Sequence, residues 1–132
     1  MSQTKEIRIA AVIFHNVKGE ILSVRKAGTS SFMMPGGKLE GEESPLAAAI
    51  REIAEELHLE LAESELEHLG RFAAPAANEV GFNVDCDVFV CSTALTELPE
   101  VYEEIAEARF FPAHSQSAEL APLSRDVVFP QL

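Results

Sequence analysis

Residues 36 to 59 read GGKLEGEESPLAAAIREIAEELHL, and the fold of the chain turns on this stretch. Ser44 is a good N-cap, Pro45 takes the first helical position, and the alanine-rich interior favours helix. Leu46, Ile50, Ile53 and Leu57 recur at helical spacing and form one apolar stripe, so the spacing predicts a helix from Ser44 to Leu57. On that helix Glu52, Glu55 and Glu56 stand at i, i+3 and i+4 and share a face, roughly 135° from the stripe at 100° per residue. Like charges so placed repel by roughly 0.2–0.5 kcal/mol per pair, and the negative end of the helix dipole adds to the penalty. A divalent cation removes it, and oxygen ligands without His or Cys select hard ions, Mg²⁺ or Mn²⁺. The Gly36-Gly37 pair just before allows a tight backbone path, which lets a main-chain carbonyl face the same ions.

Outward from this stretch, Ile7 to Phe14 is a near-continuous apolar run, as in a strand covered on both faces. The polar turn Asn16 to Glu20 makes Ile21 to Val24 its expected hairpin partner. Gly28 to Ser31 reads as a loop, leading through Phe32-Met33-Met34 to the glycines. Beyond the helix, Leu66 to Ala74 is a strand, followed by a loop over Pro75 to Asn78. Phe82 to Cys91 alternates apolar and polar positions, the pattern of a half-buried strand. Glu97 to Glu107 is an acidic connector into Arg109-Phe110-Phe111, and Ser124 to Leu132 reads as a short terminal helix. Several strands around one strong helix give an α+β chain, with residues 1–132 expected to form a single domain.

Composition narrows the function. Twenty-two acidic against 10 basic side chains leave a formal net charge of −12 in 132 residues. That balance opposes binding to a nucleic acid polymer, which needs basic groups to displace counterions. No apolar run reaches the ~20 residues of a membrane span, and the first residues, Met1 to Glu6, lack the apolar core of a signal peptide. A cytoplasmic protein without membrane contact is expected. Cys86 and Cys91 fall on opposite faces of their strand and read as buried, reduced thiols. The four histidines are scattered without the spacing of a zinc site.

Gly37, then Glu43, then Arg51-Glu52-Ile53-Ala54-Glu55-Glu56-Leu57-His58-Leu59 resembles the Nudix box, at residues 37–59, the signature of the MutT-like hydrolases. Phe32-Met33-Met34-Pro35-Gly36-Gly37 resembles the aromatic-x-x-Pro-Gly-Gly segment that leads into it. One position departs: the family's glycine after the helix is His58. That glycine usually adopts a left-handed C′ conformation, which histidine enters at some cost without removing a metal ligand.

The resemblance implies an α/β/α sandwich with a central mixed sheet and a catalytic helix following a Gly-Gly loop. It implies Mg²⁺-dependent hydrolysis of the pyrophosphate linkage in a nucleoside diphosphate linked to another moiety (a nucleotide, a dNTP or a nucleotide sugar such as ADP-ribose), Mn²⁺ being a possible substitute. The other reading is a Nudix-fold protein that senses a nucleotide without turnover. Glu52, Glu55 and Glu56 then bind the metal, helped by the carbonyl of Gly37, while Glu43 and Arg51 orient the loop and helix. Glu104 matches a further catalytic and metal-binding acid from a later loop, and Glu55, Glu56 and Glu104 are all candidates for the general base. Arg25, Lys26 and Lys38 are placed to reach phosphates; Phe32, Phe82 and the loop around Asn78 are candidates to frame a base. Pro75 resembles a proline of ADP-ribose-hydrolysing members, and the lack of any Asn after Asn83 weighs against an oxidised-guanine specificity. The partner is a small nucleotide, the chain itself a monomer or homodimer.

Overall fold

The structure, a computed structural model, describes residues 5–132. The readings made on Met1 to Thr4, as the start of the domain and as a terminus without a signal core, lie outside the described residues. Two sheets carry the fold. β1 (Lys5–Ile13), β4 (Gly36–Lys38), β5 (Leu66–Pro75) and β6 (Phe82–Cys91) form one, in the order β4-β1-β6-β5. β2 (Ile21–Lys26), β3 (Phe32–Met33) and β7 (Ile105–Phe111) form the other, in the order β3-β2-β7. β1 runs parallel to β6, with Lys5 opposite Phe82 and Ile13 opposite Val90, and antiparallel to β4, so the larger sheet is mixed.

β1 is apolar on both sides because both sides are covered. Ala10 and Val12, with Phe14 just beyond, pack with Ala48, Ala49, Ile53 and Leu57 of the single long helix α1 (Pro45–Leu57). Ala11 and Ile13 face the opposite cluster, closed by Leu120, Leu123, Val128 and Phe129 of the terminal segment. That segment is helical, as expected, but wound as a wide turn over Leu123–Val128 and a tight one over Phe129–Gln131. Two apolar layers thus flank the strands, with α1 on one side and the terminal segment on the other: an α+β sandwich around a mixed sheet. No helix among the described residues is long and apolar enough to cross a membrane.

α1 begins as its sequence dictates. The Ser44 Oγ accepts from the Ala47 N–H at 3.1 Å, and Pro45 follows at the first position. Of the expected stripe, Ile53 and Leu57 are buried and Leu46 packs at the margin, while Ala48 and Ala49 carry much of the contact. The helix ends at His58, which takes the left-handed conformation (φ 53°, ψ 34°) and donates its N–H to the Ala54 carbonyl at 3.1 Å. A non-glycine residue in that region costs roughly 1–2 kcal/mol. The His58 ring lies flat on Tyr102, centroids 3.4 Å apart and planes 6° apart.

Three expectations change. β2 is not the ladder partner of β1: a bridge joins His15 to Ile21, and the chain then separates so that β2 pairs with β7 and β3. The reason is that both edges of β1 are already occupied, by β4 and β6. Gly36 and Gly37 lie in a short strand rather than a loop. β6 is half-buried only at its start; from Cys86 onward it is enclosed on both faces, with Cys86 in one core cluster and Phe89 and Cys91 in the other. Both cysteines are free and buried.

Gly36 (φ 151°) has no room for a side chain, since a Cβ there would overlap the backbone of Ala10 and Ala11. Gly41 (φ 55°) has nothing within 4 Å of the same position. Gly36→Ala is therefore expected to lose about 3 kcal/mol or more in urea unfolding, by forcing β4 off β1. Gly41→Ala, strained in backbone alone, should lose roughly 1–2 kcal/mol. Equal losses would show that β4 is not packed as tightly as described.

Candidate active site

The glutamates of α1 do not present alike. Glu56 is buried, 3% exposed, beneath β4, where its Oε1 accepts from the Gly36 N–H at 3.2 Å. Burial, with the like charge of Glu52 next in size, pushes its pKa up to about 8 against the pull of the Gly36 N–H. Glu52 is half-buried against Gly37: a Cβ on that glycine would stand 2.6 Å from Glu52 Oε1. Burial raises its pKa too, opposed by the hydrogen bond from Arg51. Glu55 is exposed. The face 135° from the stripe is thus only partly solvated, because β4 covers its near side.

Arg51 ties this region together. Its Nε and Nη2 donate to the two oxygens of Glu43 at 2.7 and 2.9 Å, its Nη2 also to the Lys38 carbonyl at 3.0 Å, and its Nη1 to Glu52 Oε1 at 2.9 Å and to Glu55 at 3.4 Å. The fork holding Glu43, with the Glu40 N–H as a further donor, lowers the Glu43 pKa to about 2. One guanidinium therefore fastens the β4–α1 connection to the helix, using the planar bidentate geometry that lysine lacks.

Glu104 reaches the same cleft from the far side. It sits in the turn from Tyr102 to Ile105, whose Glu103 has φ 57°, and its carbonyl accepts from the Ala27 N–H at 2.8 Å. Its carboxylate pairs with Lys26 Nζ at 3.4 Å. Between these elements lies a cavity of about 390 Å³. Gly36, Gly37, Lys38, Glu40, Glu52, Lys26 and Glu104 form its polar wall. Ile7, Ile9, Met34, Val84 and Leu123 supply apolar surface, and residues 76–79, including Asn78, complete the rim. Ser124 is also in the wall; it is 1% exposed, and its Oγ has no hydrogen-bond partner. A buried hydroxyl left unpaired costs about 1–3 kcal/mol.

The structure thus brings Gly37, Lys38, Glu52, Glu104 and Asn78 to one cavity. Glu56 lies immediately behind its wall, and Glu43, Arg51 and Glu55 brace it from outside. Three expected base- or phosphate-contacting residues are elsewhere. Arg25 is engaged by the Thr29 carbonyl at 2.9 Å and by Glu107 at 3.3 Å. Phe32 is 1% exposed in the core, edge-on to Phe111 and under the guanidinium of Arg109. Phe82 opens β6 opposite Lys5, whose Nζ is 5.7 Å from its ring, and does not line the cavity. Strand position explains all three: each is drawn to a ladder or core neighbour before it can face the cleft. The Lys26–Glu104 pairing and the Ser124 hydroxyl were not read from sequence, and no local signal marks either.

Among the described residues no group of three or more carboxylates and imidazoles stands converged as a metal cage. The donor chemistry nevertheless fits a hard divalent cation. Glu52 and Glu56 hold carboxyl groups in partly dry surroundings, beside a glycine backbone with no side chain to obstruct approach. Glu52, Glu55, Glu56, the Gly37 carbonyl and Glu104 are the groups available to hold it.

The raised Glu56 pKa has a stability consequence. The folded state binds this proton more tightly than the unfolded chain, so stability falls as pH rises from about 4.5 to about 8. With a chelator present, Glu56→Gln should flatten that part of the pH–Tm curve and exceed wild type above pH 8. Parallel curves for the two proteins would show that Glu56 ionises in the fold without penalty.

The NUDIX domain family profile matches residues 5–132. The chain is similar in structure to a MutT NUDIX hydrolase from Burkholderia pseudomallei, TM-score 0.78 and 21% identity over 97% of this chain and 98% of that one. It is likewise similar to a MutT protein from Methanosarcina mazei, TM-score 0.79 and 20% identity over 98% and 94% of the two chains. The dihydroneopterin triphosphate pyrophosphohydrolase of E. coli superposes with TM-score 0.72 at 16% identity, over 95% and 93%. No curated protein sequence matches. The profile spans nearly all of the chain: the chain belongs to the Nudix family, whose general reaction is pyrophosphohydrolysis.

Proposed function

We propose that the protein hydrolyses, with Mg²⁺, the pyrophosphate linkage of a small nucleoside diphosphate derivative: a nucleoside triphosphate or a nucleotide sugar such as ADP-ribose. The observation that carries the reading is the single cavity wall in which the Gly37 strand, Glu52 and Glu104 meet, with Glu56 buried directly behind it. Glu52, Glu55, Glu56 and the Gly37 carbonyl hold the ions, Glu104 completes the set, and Mn²⁺ can replace Mg²⁺. The bound ions supply Lewis acidity, acidifying water and neutralising the charge that grows on phosphate oxygens.

The remaining work belongs to the chain. Lys26 and Lys38, both in the cavity wall, meet the diphosphate. The apolar surface of Ile7, Ile9, Val84 and Leu123 takes the nucleoside and excludes water from it. The Asn78 rim and the unpaired Ser124 hydroxyl offer polar partners to whatever edge that group presents. A carboxylate among Glu55, Glu56 and Glu104 accepts the proton of the attacking water. Positioning and charge carry such phosphoryl chemistry, so the site needs no covalent nucleophile.

Incubation of purified protein and Mg²⁺ with nucleoside triphosphates, oxidised dNTPs, dinucleoside polyphosphates and ADP-ribose should release a nucleoside monophosphate or pyrophosphate from at least one of them. Binding without release from any would instead identify a nucleotide sensor. Glu55→Gln and Glu56→Gln should each lower turnover at least about a hundredfold; wild-type turnover in either would remove that residue from the metal set. Ser124→Ala should raise KM several-fold with kcat nearly unchanged, and leave the free protein as stable or more so, because the lost hydroxyl had no partner. An unchanged KM would place the substrate away from Ser124.

A further inference from the structure

Two non-glycine residues with left-handed backbones, His58 (φ 53°) and Glu103 (φ 57°), flank one stacked pair of rings. His58 closes the helix that carries Glu52, Glu55 and Glu56, and Tyr102 opens the turn that carries Glu104. Sparsely populated backbone conformations persist only where the surroundings hold them, and here the holding contacts are specific. The Tyr102 N–H donates to the Glu56 carbonyl at 2.9 Å, inside the last turn of the helix. The Ile105 N–H donates to the Tyr102 carbonyl at 3.1 Å, closing the turn. The Ala27 N–H donates to the Glu104 carbonyl at 2.8 Å, joining the turn to the end of β2. The rings add a side-chain contact between the helix end and this turn, beside the core cluster that holds Leu57 and Ile105, and the Tyr102 hydroxyl donates to Glu100 Oε2 at 2.8 Å.

A glycine at position 58 would enter the left-handed conformation freely and would leave Tyr102 without a ring to rest on. Histidine keeps the strained cap and supplies the ring. We propose that the His58–Tyr102 stack is a clamp that positions Glu104 against the carboxylates of α1, so that both are positioning residues for hydrolysis although neither lines the cavity. The clamp holds a short turn at its root, where a small shift is carried to the Glu104 carboxylate at its tip. The inference rests on the assignment of Glu104 to the hydrolytic site, made above.

The test compares His58→Gly, Tyr102→Ala, their combination, Tyr102→Phe and Glu104→Gln, using the best substrate with saturating Mg²⁺. His58→Gly and Tyr102→Ala should each lower kcat roughly 10- to 100-fold with little change in KM, the penalty of a misplaced group. The double variant should be no worse than either single one, since both break one contact. Tyr102→Phe, which keeps the ring, should retain wild-type kcat. Amide exchange at Ile105 and Ala27 should accelerate in His58→Gly and Tyr102→Ala, a readout independent of any substrate. His58→Gly relieves backbone strain, so it provides a folded protein even if Tyr102→Ala does not. Unchanged exchange at both amides overturns the clamp. A large loss in Glu104→Gln with wild-type kcat in His58→Gly overturns it as well and leaves the role of Glu104 standing. Wild-type turnover in Glu104→Gln refutes the assignment of Glu104 itself, and the clamp is then decided by the exchange rates.

Discussion

How closely the short strand β4 can approach its neighbours governs the cleft. At Gly36 the chain lies against the Ala10–Ala11 backbone, and at Gly37 against the carboxylate of Glu52, with no side chain between in either place. Only that proximity lets the Gly36 N–H reach Glu56 and keeps Glu56 dry. Were β4 lifted, water would reach Glu56, its proton affinity would fall towards that of an ordinary carboxylate, and the helix would lose its registration on β1. The two glycines are therefore a packing requirement of the cleft.

Charge is arranged around the same contact. Residues 36–59 hold six acidic and two basic side chains, and residues 97–107 hold five acidic and none basic, so most of the net charge of −12 gathers on two facing segments. Arg51 offsets part of it through Glu43, Glu52 and Glu55, and Lys26 part through Glu104. At Glu52 and Glu56 burial makes a negative charge expensive. The acidity that opposes polymeric phosphate also creates the place where a small phosphate can be received together with a cation.

Local features were the ones legible in the sequence. Ser44 and Pro45 set the start of α1, the run from Ile7 to Phe14 announced a strand enclosed on both sides, and the alternation from Phe82 to Cys91 gave the bounds of β6. The acid at Glu104 was placed by family likeness, and the structure sets it in the cavity wall. The failures share a physical cause, for they concern pairings between distant segments. Nothing in Ile21 to Val24 says that β1 is already occupied on both edges. Nothing in the helix says that a strand will cover Glu56, or in Phe32 that its ring will sit beneath Arg109 rather than in the cleft. Periodicity reports which faces are apolar; it does not report what arrives to cover them.

The parallel pairing of β1 with β6 has a consequence for how the molecule comes into being. Arg8 and Asp85, 77 residues apart, are neighbours across that ladder, and every element from β2 to β5 lies within the loop it closes. Closing so long a loop is entropically unfavourable until many contacts form together, which makes it a late and slow event. α1 can wind locally in microseconds, but the surface it rests on is incomplete until β6 supplies Phe89 and Cys91. A helix of 13 residues is marginal on its own in water, so the carboxylates of α1 reach their places only as that ladder closes, and the cleft belongs to the finished fold.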